Sequence, residues 1–496
     1  MARISRVISV LLTAVFLFSF AACKKAEPEP ETTTKTGKST EKNTVVTLPL
    51  AYEPLETDEE EFEDGESKWQ HVLIGFASVE REYPALAASL AKLNNELDAE
   101  AAASLEQIKT EAEETKAKYG ISFFPGELYS RRKLIARRAD SNYLSLVQIF
   151  DSYSGGDHPS TQIKTFNFDS KTGKKLLTDD VFTNFEVFIP KLSKSVKAAY
   201  PDADWNGENL TALIKALYHE GNLYFSIDYE GITFYFGTDE LASYQDGILA
   251  VSFTYDKLKS DVVSKYAEIP ETYSYACTVD IPNYRGVICE TDLKNLLGYT
   301  QGITLKYDDS EQKLKDLICG NYSLYFVHMG QSGDYIYLDH DGEDGYGGLY
   351  IFSIGAKNLY ETKYLEKVSL FATELGDSSP CYAEMFTCPS RFILGTRCDL
   401  LATSVAKNKY QVGKDGIPKL LNKEAMYLID STRQYKLRED IRDEDGVLIK
   451  SGTKFNFTQT DFGDKAVFIT EDGLEHTVNL SEININRAID GVEYAG

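Results

Sequence analysis

A group of side chains that could bind a metal ion lies in one short segment, DHDGEDGYGG, residues 339–348. Clustered carboxylates on a flexible loop supply the hard oxygen ligands that Ca²⁺ prefers. The carboxylates are Asp339, Asp341, Glu343 and Asp344. An EF-hand loop needs glycine at its sixth place, where Asp344 stands, and no helix is predicted on either side. We therefore expect a solvated hairpin loop and no metal.

Three tyrosines accompany this loop, at Tyr337, Tyr346 and Tyr350. Flat aromatic rings can stack on sugars, so the tyrosines are candidates for a saccharide contact. Aromatic residues on strands more often pack into a core, and the sequence favours packing.

His158 is the strongest single candidate for a polar functional residue. It lies in SGGDHP, residues 154–159, where the glycines permit positive φ and Pro159 cannot donate a ladder hydrogen bond. A loop between two strands presents its side chains accurately. We therefore predict a binding loop formed by Gly155, Gly156 and His158. The alternative is that His158 only caps the turn.

The catalytic patterns that we sought are missing from the sequence. The histidines show neither HExxH nor HxxxH spacing, which leaves a catalytic zinc of either pattern unsupported. The sequence contains no GxSxG and no P-loop, and acidic residues are too common to nominate a pair of glycosidase carboxylates. We expect no cofactor and no enzymatic activity. The six histidines are His71, His158, His219, His328, His340 and His476.

The formal net charge of −25 argues against a nucleic-acid partner, because phosphate binding needs clustered Lys and Arg. Cationic partners suit this charge. The alternative is that acidity only keeps the chain soluble.

The N-terminus has the pattern of a lipoprotein signal peptide, residues 1–23. Arg3 and Arg6 precede an apolar run, residues 7–22, that is too short to span a bilayer comfortably. The run ends in small residues before Cys23, the thiol that would take a diacylglyceryl group. We expect a protein of the cell envelope that is lipid-anchored to a membrane at Cys23. An ordinary cleaved signal with a chance cysteine is the alternative.

Residues 24–68 are rich in Lys, Glu, Thr and Pro and end in a dense acidic run, so they predict a disordered acidic tether. Export would permit disulfides among the remaining six cysteines, for which fifteen connectivities are open. We expect the pairs Cys277 with Cys289, Cys381 with Cys388, and Cys319 with Cys398.

The binding loop needs strands to position it, and the segment from Ser141 to Phe182 has the required signals. Alternation from Tyr143 to Phe150 predicts a strand with both faces at least partly covered. A second strand follows from Thr165, and SKTGK, residues 170–174, predicts a tight hairpin closed by Gly173.

At these residues the chain resembles a known family. YLSL, GGDHP and FNFDSKTGKKLLTDDVF are similar to the signature of the bacterial domain of unknown function 3298, which includes the ectodomain of the lysozyme-sensing anti-sigma factor and often adjoins a deacetylase-associated half. Tyr83 to Leu86, Tyr235–Phe236 and the YQDG of residues 244–247 extend the resemblance over residues 69–262. It implies an RsiV-like α+β domain. A deacetylase domain sometimes follows in this family, but its metal-binding histidine motif is absent from this sequence.

Within that domain Pro84 opens a helix whose leucines recur at spacings of three and four, and we expect the helix to pack across an antiparallel sheet. Residues 283–428 predict a mostly β domain, and residues 429–496 have the short strands and turns of a small SH3-like barrel. The segment beginning CPSRFILGTRCDLL resembles the C-terminal halves of uncharacterised lipoproteins of gut anaerobes.

The resemblance, together with the absence of catalytic patterns, implies a non-catalytic binding or sensing module. The partner that it implies is an extracellular, lysozyme-like cationic protein or the glycan of peptidoglycan. The alternative is a cell-envelope enzyme of unrecognised type that acts on wall polysaccharide.

Overall fold

A computed structural model of the chain describes residues 56–61, 67–73, 82–119, 128–153, 158–207, 209–277, 284, 286–291, 300–342, 347–370, 383–384, 386–398, 404–422, 426–430, 434–479, 481–483 and 486–488. Cys23, Gly155, Gly156 and Cys381 lie outside the described residues. The fold is α+β, and most of its sheets are antiparallel. No helix in the described ranges is both long and apolar enough to cross a membrane.

The first sheet contains the predicted central strands. Its strands in chain order are β1 (Glu56–Glu61), β2 (Ser67–Leu73), β3 (Leu128–Ala139), β4 (Tyr143–Tyr153) and β5 (Ser160–Asp169), and a two-residue strand, Ala383–Glu384, joins at β3. β3, β4 and β5 pair antiparallel, whereas β2 runs parallel to β3. The hairpin after β5 closes at Gly173, whose N–H donates to the carbonyl oxygen of Asp169 at 2.8 Å.

β1 corrects the prediction of a tether over residues 24–68. Its backbone pairs antiparallel with β2, from Glu56 opposite Leu73 to Glu61 opposite Lys68. An acidic segment can join a sheet because the ladder is made by backbone N–H and C=O groups, whatever the side chains carry. The tether prediction is therefore wrong for residues 56–61, 67 and 68, and the rest of the tether lies outside the described residues.

Helix α1 (Pro84–Tyr119) lies against this sheet. Its predicted apolar stripe is buried at Leu86, Leu90, Leu93 and Leu97, none of which is more than 4% exposed. The guanidinium of Arg132 on β3 donates to the carbonyl oxygen of Leu97 at 3.0 Å. The helix thus buries its leucines on the sheet that contains the central motif.

A second layer follows in the chain. Its elements are α2 (Thr178–Val181), α3 (Phe185–Ala199), α4 (Leu210–Glu220), β6 (Tyr224–Ile227), β7 (Gly231–Phe236), β8 (Leu249–Thr254) and α5 (Tyr255–Leu258). β6, β7 and β8 form an antiparallel sheet. Asn184 and Asn209 cap α3 and α4, since each side chain accepts a backbone N–H of the first turn.

Side chains of β4 and β5 satisfy the backbone of β6. Ile227 N donates to Ser145 Oγ at 3.0 Å, Asn167 Nδ2 donates to Phe225 O at 2.7 Å, and Phe225 N donates to Thr165 Oγ1 at 3.1 Å. Because a buried strand edge is costly without hydrogen bonds, these polar side chains fix the three-stranded sheet on the first sheet.

Two further sheets contain the aromatic strands. The strands are β9 (Tyr273–Cys277), β10 (Ile288–Thr291), β11 (Thr300–Tyr307), β12 (Ser310–Cys319), β13 (Tyr322–His328), β14 (Asp334–His340), β15 (Gly348–Ile354) and β16 (Leu359–Glu366). One sheet has the order β16-β15-β14-β13-β9, and the other has the order β10-β11-β12. Their facing side chains share one hydrophobic cluster.

The last part of the described chain forms a nine-stranded sheet and two small hairpins. The strands are β17 (Val368–Ser369), β18 (Ala383–Glu384, paired with β3), β19 (Phe392–Cys398), β20 (Ser404–Val412), β21 (Pro418–Leu420), β22 (Tyr427–Asp430), β23 (Tyr435–Lys436), β24 (Ile441–Arg442), β25 (Leu448–Ile449), β26 (Lys454–Thr460), β27 (Lys465–Thr470), β28 (Glu475–Asn479), β29 (Ser481–Ile483) and β30 (Asn486–Ala488). The main path of the sheet is β17-β19-β20-β22-β26-β27-β28.

The turn spacing of residues 429–496 predicts an SH3-like barrel, but the described strands of this segment belong to an open sheet. β22 pairs on one side with β20 and on the other with β26, so the C-terminal strands extend the sheet begun by β17 and β19. A closed barrel would require these strands to pair among themselves. The β19–β20 hairpin offers a free edge, and the later strands add to it.

One hydrophobic cluster contains residues from both the 69–262 and 283–428 segments. Leu90 and Leu146 belong to it, and so do Tyr337 and Phe386. β9, which lies between the two segments in sequence, pairs with β13, and β18 pairs with β3. Packing is therefore continuous between residues 69–262 and 283–428, which the sequence predicts to be separate domains.

Candidate functional site

His158 is exposed and stacks on Tyr244. The two ring centroids are 3.8 Å apart and the rings are inclined by 22°. His158 Nδ1 lies 3.0 Å from the carbonyl oxygen of its neighbour Pro159. Tyr244 begins the short 3₁₀ turn Tyr244–Asp246, which is part of the YQDG segment. The structure thus brings together two motifs that are far apart in the chain.

Polar contacts hold the loop that carries Tyr244 in place. Thr238 Oγ1 donates to the carbonyl oxygen of Thr161 at 2.9 Å, which joins the loop to β5. The carboxamide of Asn206 donates to Asp239 O at 2.7 Å and to Ala242 O at 3.0 Å. Asp239 has a φ of 64°, a conformation that a residue other than glycine adopts at a cost. The loop is therefore fixed on both sides.

A third segment completes the same surface. Ser243 N donates to Asp204 O at 2.8 Å, and the Asp246 carboxylate accepts from Ser243 Oγ at 2.8 Å and from Asp204 N at 3.2 Å. Trp205 forms a backbone bridge with Ala242. Residues 158–161, 200–206 and 238–248 are thus contiguous, and we call them the acidic–aromatic face.

Carboxylates dominate the charge of the acidic–aromatic face. Its three segments contain five carboxylates and no Lys or Arg. Asp202, Asp204 and Asp239 are exposed. Burial raises the pKa of Glu240, although Gly237 N donates to its carboxylate. The five carboxylates are Asp202, Asp204, Asp239, Glu240 and Asp246. Such a surface attracts cations over about 8 Å at physiological ionic strength.

The acidic loop after β14 uses its carboxylates to hold the backbone. Asp341 Oδ1 accepts the N–H groups of Gly320 and Asn321 at 2.7 and 2.8 Å, so this side chain caps the turn between β12 and β13. Asp339 faces a different strand, β17. Residues 343–346 lie outside the described residues. In the part of the chain that the structure describes, no three His, Cys, Asp or Glu residues are arranged to hold a metal ion.

A buried ion pair that the sequence analysis missed joins β3 to the second layer. Arg137 Nε and Nη2 donate to the two carboxylate oxygens of Asp228 at 3.1 and 3.0 Å, and Nη1 donates to Ala276 O at 2.7 Å. Asp228 also accepts from Thr233 Oγ1 and Tyr284 Oη. Burial would lower the pKa of Arg137, but the Asp228 carboxylate raises it well above its usual value.

The adjacent Arg138 is buried in the same way. Its Nε donates to Asp140 Oδ2 at 2.7 Å, and its Nη groups donate to the carbonyl oxygens of Tyr266 and Glu268, both at 2.6 Å. The β3–β4 register shifts between Ala136 and Arg138. At such an irregularity successive side chains need not point to opposite faces of the sheet, so both neighbouring arginines can be buried. The sequence signal was two arginines inside an apolar strand, followed by an aspartate.

The cysteines that the structure describes form none of the expected disulfides. Cys289 and Cys319 are free thiols, so the predictions of the pairs Cys277–Cys289 and Cys319–Cys398 are wrong for this structure. Cys388 is also a free thiol, and its expected partner Cys381 lies outside the described residues. Cys319 ends β12 and packs in one hydrophobic cluster, whereas Cys398 ends β19 and packs in another. A disulfide needs Cα atoms within about 7 Å.

Among the comparisons with known proteins, the search of solved structures found similar proteins. No model of a known protein family matches the sequence, and no curated protein matches it. One similar structure is a member of the DUF3298 family from Bacteroides fragilis, with a TM-score of 0.32 and 16% identity, covering 43% of this chain and 96% of that chain. Another is a DUF3298 family protein from Pseudomonas aeruginosa PAO1, with a TM-score of 0.28 and 14% identity, covering 45% of this chain and 97% of that chain. These two structures are of proteins of DUF3298, the family that the sequence resembles.

Proposed function

We propose that the protein is a surface lipoprotein of the cell envelope with an RsiV-like domain, and that its acidic–aromatic face binds a cationic extracellular protein without catalysis. The observation that carries this proposal is the stack of the exposed His158 on the partly exposed Tyr244, on a surface with five carboxylates and no Lys or Arg. The charge steers a cationic partner to the face, and the stacked rings provide apolar contact area once it has arrived.

The preformed geometry of the face supports this proposal. Asn206, Thr238 and Asp246 hold the Tyr244 loop by hydrogen bonds that lie within the domain. A partner would therefore bind without the entropic cost of ordering the loop, which favours affinity. A small cationic protein of the lysozyme type is the natural probe, and peptidoglycan glycan is the other ligand to examine.

Calorimetric titration of lysozyme into the mature chain tests the proposal. We expect saturable binding that weakens steeply between about 50 and about 150 mM salt, because the attraction is electrostatic. A variant with Asp204→Asn, Asp239→Asn and Tyr244→Ala should weaken binding by about tenfold or more at the lower salt. The matched control, Asp309→Asn with Glu361→Gln, changes exposed carboxylates elsewhere and should bind as the wild type does.

Three results would count against this function. Equal losses in the two variants would show that only total charge matters. Binding by both variants that is as tight as binding by the wild type would show that the partner binds another surface. Absence of heat with lysozyme, combined with co-sedimentation with purified peptidoglycan, would favour the glycan as ligand.

The anchoring proposal has its own test. Mass spectrometry of the membrane fraction should find a mature N-terminus at a diacylglyceryl-modified Cys23, since two acyl chains give stable anchoring. The Cys23→Ala variant should leave the membrane fraction. A variant that still partitions with membranes would refute anchoring through this residue.

A further inference from the structure

One face of the nine-stranded sheet carries basic side chains. On the other face, Tyr410 and Val412 of β20 pack into the same hydrophobic cluster as helix α1. Because successive side chains of a strand point to opposite faces, Lys407, Lys409 and Gln411 lie on the face turned away from this cluster. Lys409 and Gln411 are exposed, and Lys407 is partly exposed. This face of β20 is therefore turned to solvent.

Strand β21 adds a lysine and a leucine to the solvent face. Lys419 lies opposite Gln411, and both are exposed. Leu421 follows the strand and is 42% exposed, and its N–H donates to the carbonyl oxygen of Lys409 at 3.0 Å. Lys419 Nζ lies 2.9 Å from the Asp415 carboxylate. An ion pair this exposed is weak, so Lys419 can exchange Asp415 for another anion.

Strands β19 and β22 complete the same face. Leu428 of β22 lies opposite Lys407 and is 60% exposed. Arg397 of β19 lies opposite Val405 and is partly exposed. The four strands contain four basic residues and one acidic residue, Asp430. We define the basic face as Arg397, Lys407, Lys409, Lys419, Leu421 and Leu428.

The charge of the basic face is opposite to that of the whole chain. Residues 391–423 contain seven Lys or Arg and two Asp, whereas the chain has a formal net charge of −25. A local cluster of one sign determines which ions a surface attracts, whatever the total charge. The net charge of the chain therefore conceals a surface that attracts anions.

The exposed leucines indicate which anion suits the basic face. Leu428 lies directly across the strand pair from Lys407, where cross-strand side chains are within contact distance. An exposed leucine gains free energy when it enters an apolar phase, and a lysine can keep its ammonium group in the polar layer above. Single-stranded nucleic acid would need aromatic rings for base stacking, and no residue of the basic face is aromatic. A bilayer with anionic headgroups suits both the lysines and the leucines.

We propose that the basic face docks on the surface of an anionic lipid bilayer. The ammonium groups of Lys407, Lys409 and Lys419 would contact lipid phosphates, and Leu421 and Leu428 would enter the boundary between headgroups and acyl chains. Each basic residue near an anionic bilayer strengthens binding by about fivefold. The acidic excess elsewhere on the chain is repelled by the same bilayer, so docking fixes the orientation of the protein on the membrane.

Docking through the basic face goes beyond the function proposed for the acidic–aromatic face, because different segments form the two faces. It adds a second membrane contact to the anchor proposed at Cys23, but it does not depend on the acyl chains. The test therefore uses the mature chain with Cys23→Ala, so that failure of docking and failure of anchoring are observed separately.

Co-sedimentation with vesicles measures docking. We expect the mature Cys23→Ala chain to bind vesicles of equal parts phosphatidylglycerol and phosphatidylcholine, more weakly at about 150 than at about 50 mM salt, and not to bind phosphatidylcholine alone. Adding Lys409→Gln with Lys419→Gln should weaken binding to the anionic vesicles by about tenfold or more. Adding Leu428→Ser should weaken it several-fold at both salt concentrations, because an apolar contact is lost.

Matched controls make the same changes at other sites. Lys92→Gln with Lys194→Gln removes two exposed lysines, and Lys92 pairs with an acid four residues away, as Lys419 does. Leu474→Ser replaces a leucine that is 56% exposed between β27 and β28. Both controls should bind as the parent chain does. Thermal melting checks that each variant is folded.

Absence of binding to the anionic vesicles would overturn the proposal, as would equal losses in the Lys409–Lys419 variant and its control. Soluble polyphosphate distinguishes a bilayer from a phosphate polymer. Binding to polyphosphate as tight as binding to vesicles at the same phosphate concentration, with vesicle binding unaffected by Leu428→Ser, would also overturn docking on a bilayer. If Leu428→Ser does not fold, Leu421→Ser takes its place in this comparison.

Discussion

Replacement of Asp339 by asparagine should remove a loss of stability that the wild type suffers as the pH rises. Among the described residues Asp339 Oδ1 is buried without a hydrogen-bond partner, and Oδ2 accepts two long bonds, from Ser369 Oγ and Leu370 N, both at 3.3 Å. Burial raises the pKa of this carboxyl from 3.8 to about 7, and the nearby Asp341 raises it further while the two bonds lower it. The folded chain thus prefers the neutral acid.

The sign and size of the effect follow from this pKa. A group whose pKa is higher in the folded than in the unfolded chain holds its proton in the folded state between about pH 4 and pH 7, and stability falls as pH rises through that window. At 1.36 kcal/mol per pKa unit, the full difference is about 4 kcal/mol. At most about 3 kcal/mol of this stabilisation is lost between pH 5 and pH 8. This figure is an upper limit because the surroundings relax around the ionised carboxylate.

Denaturant titrations of the wild type and Asp339→Asn at pH 5 and pH 8 measure this difference. The free energy of unfolding should fall with pH by about 2 to 3 kcal/mol more in the wild type than in the variant. Asp309→Asn, at an exposed turn, is the control and should follow the wild type. Equal pH dependence of Asp339→Asn and the wild type would refute the conclusion that the buried carboxyl is neutral in the folded chain.

Two other substitutions test the packing. Arg137→Met should lower the free energy of unfolding by about 3 to 5 kcal/mol, because it leaves the Asp228 carboxylate buried and uncompensated. The double variant Arg137→Met with Asp228→Leu should lose less stability than Arg137→Met alone, because it removes both charges. A loss in the double variant equal to the sum of the two single losses would contradict the pairing. Gly173→Ala should be more destabilising than Gly221→Ala in denaturant titrations, because both glycines have positive φ but only at Gly173 would a Cβ collide with the carbonyl of Ala85. The Gly221 change should cost about 1 to 2 kcal/mol for its left-handed backbone alone, and equal losses at both sites would contradict the clash.

Local signals predicted the elements whose partners are close in sequence. The leucine spacing after Pro84 placed helix α1, and the turn residues before Gly173 placed the hairpin that follows β5, because these structures are stabilised by residues a few positions apart. The same reasoning failed for residues 429–496. Turn spacing identifies short strands, but the pairing of β22 with β20 and β26 depends on which edges are free elsewhere in the chain, and the local sequence does not encode that choice.

The candidate site shows the same division between local and long-range information. His158 was identified from its glycine turn and the YQDG segment from its resemblance, yet neither signal indicated that the His158 ring stacks on Tyr244. The stack requires the Tyr244 loop to lie beside the start of β5, where Thr238 bonds to Thr161. That contact is between side chain and backbone, and no periodicity in the sequence reports it.

The buried arginines leave the acidic excess of the surface unchanged, because each is paired with one aspartate. Arginines are usually counted as surface charges, yet Arg137 and Arg138 are fully buried because each finds a carboxylate and backbone carbonyls inside the fold. Two positive charges in the interior are thus neutralised by Asp228 and Asp140. The exposed surface keeps the remaining acidic excess, and its local distribution, such as the five carboxylates of the acidic–aromatic face, decides where a cationic partner would bind.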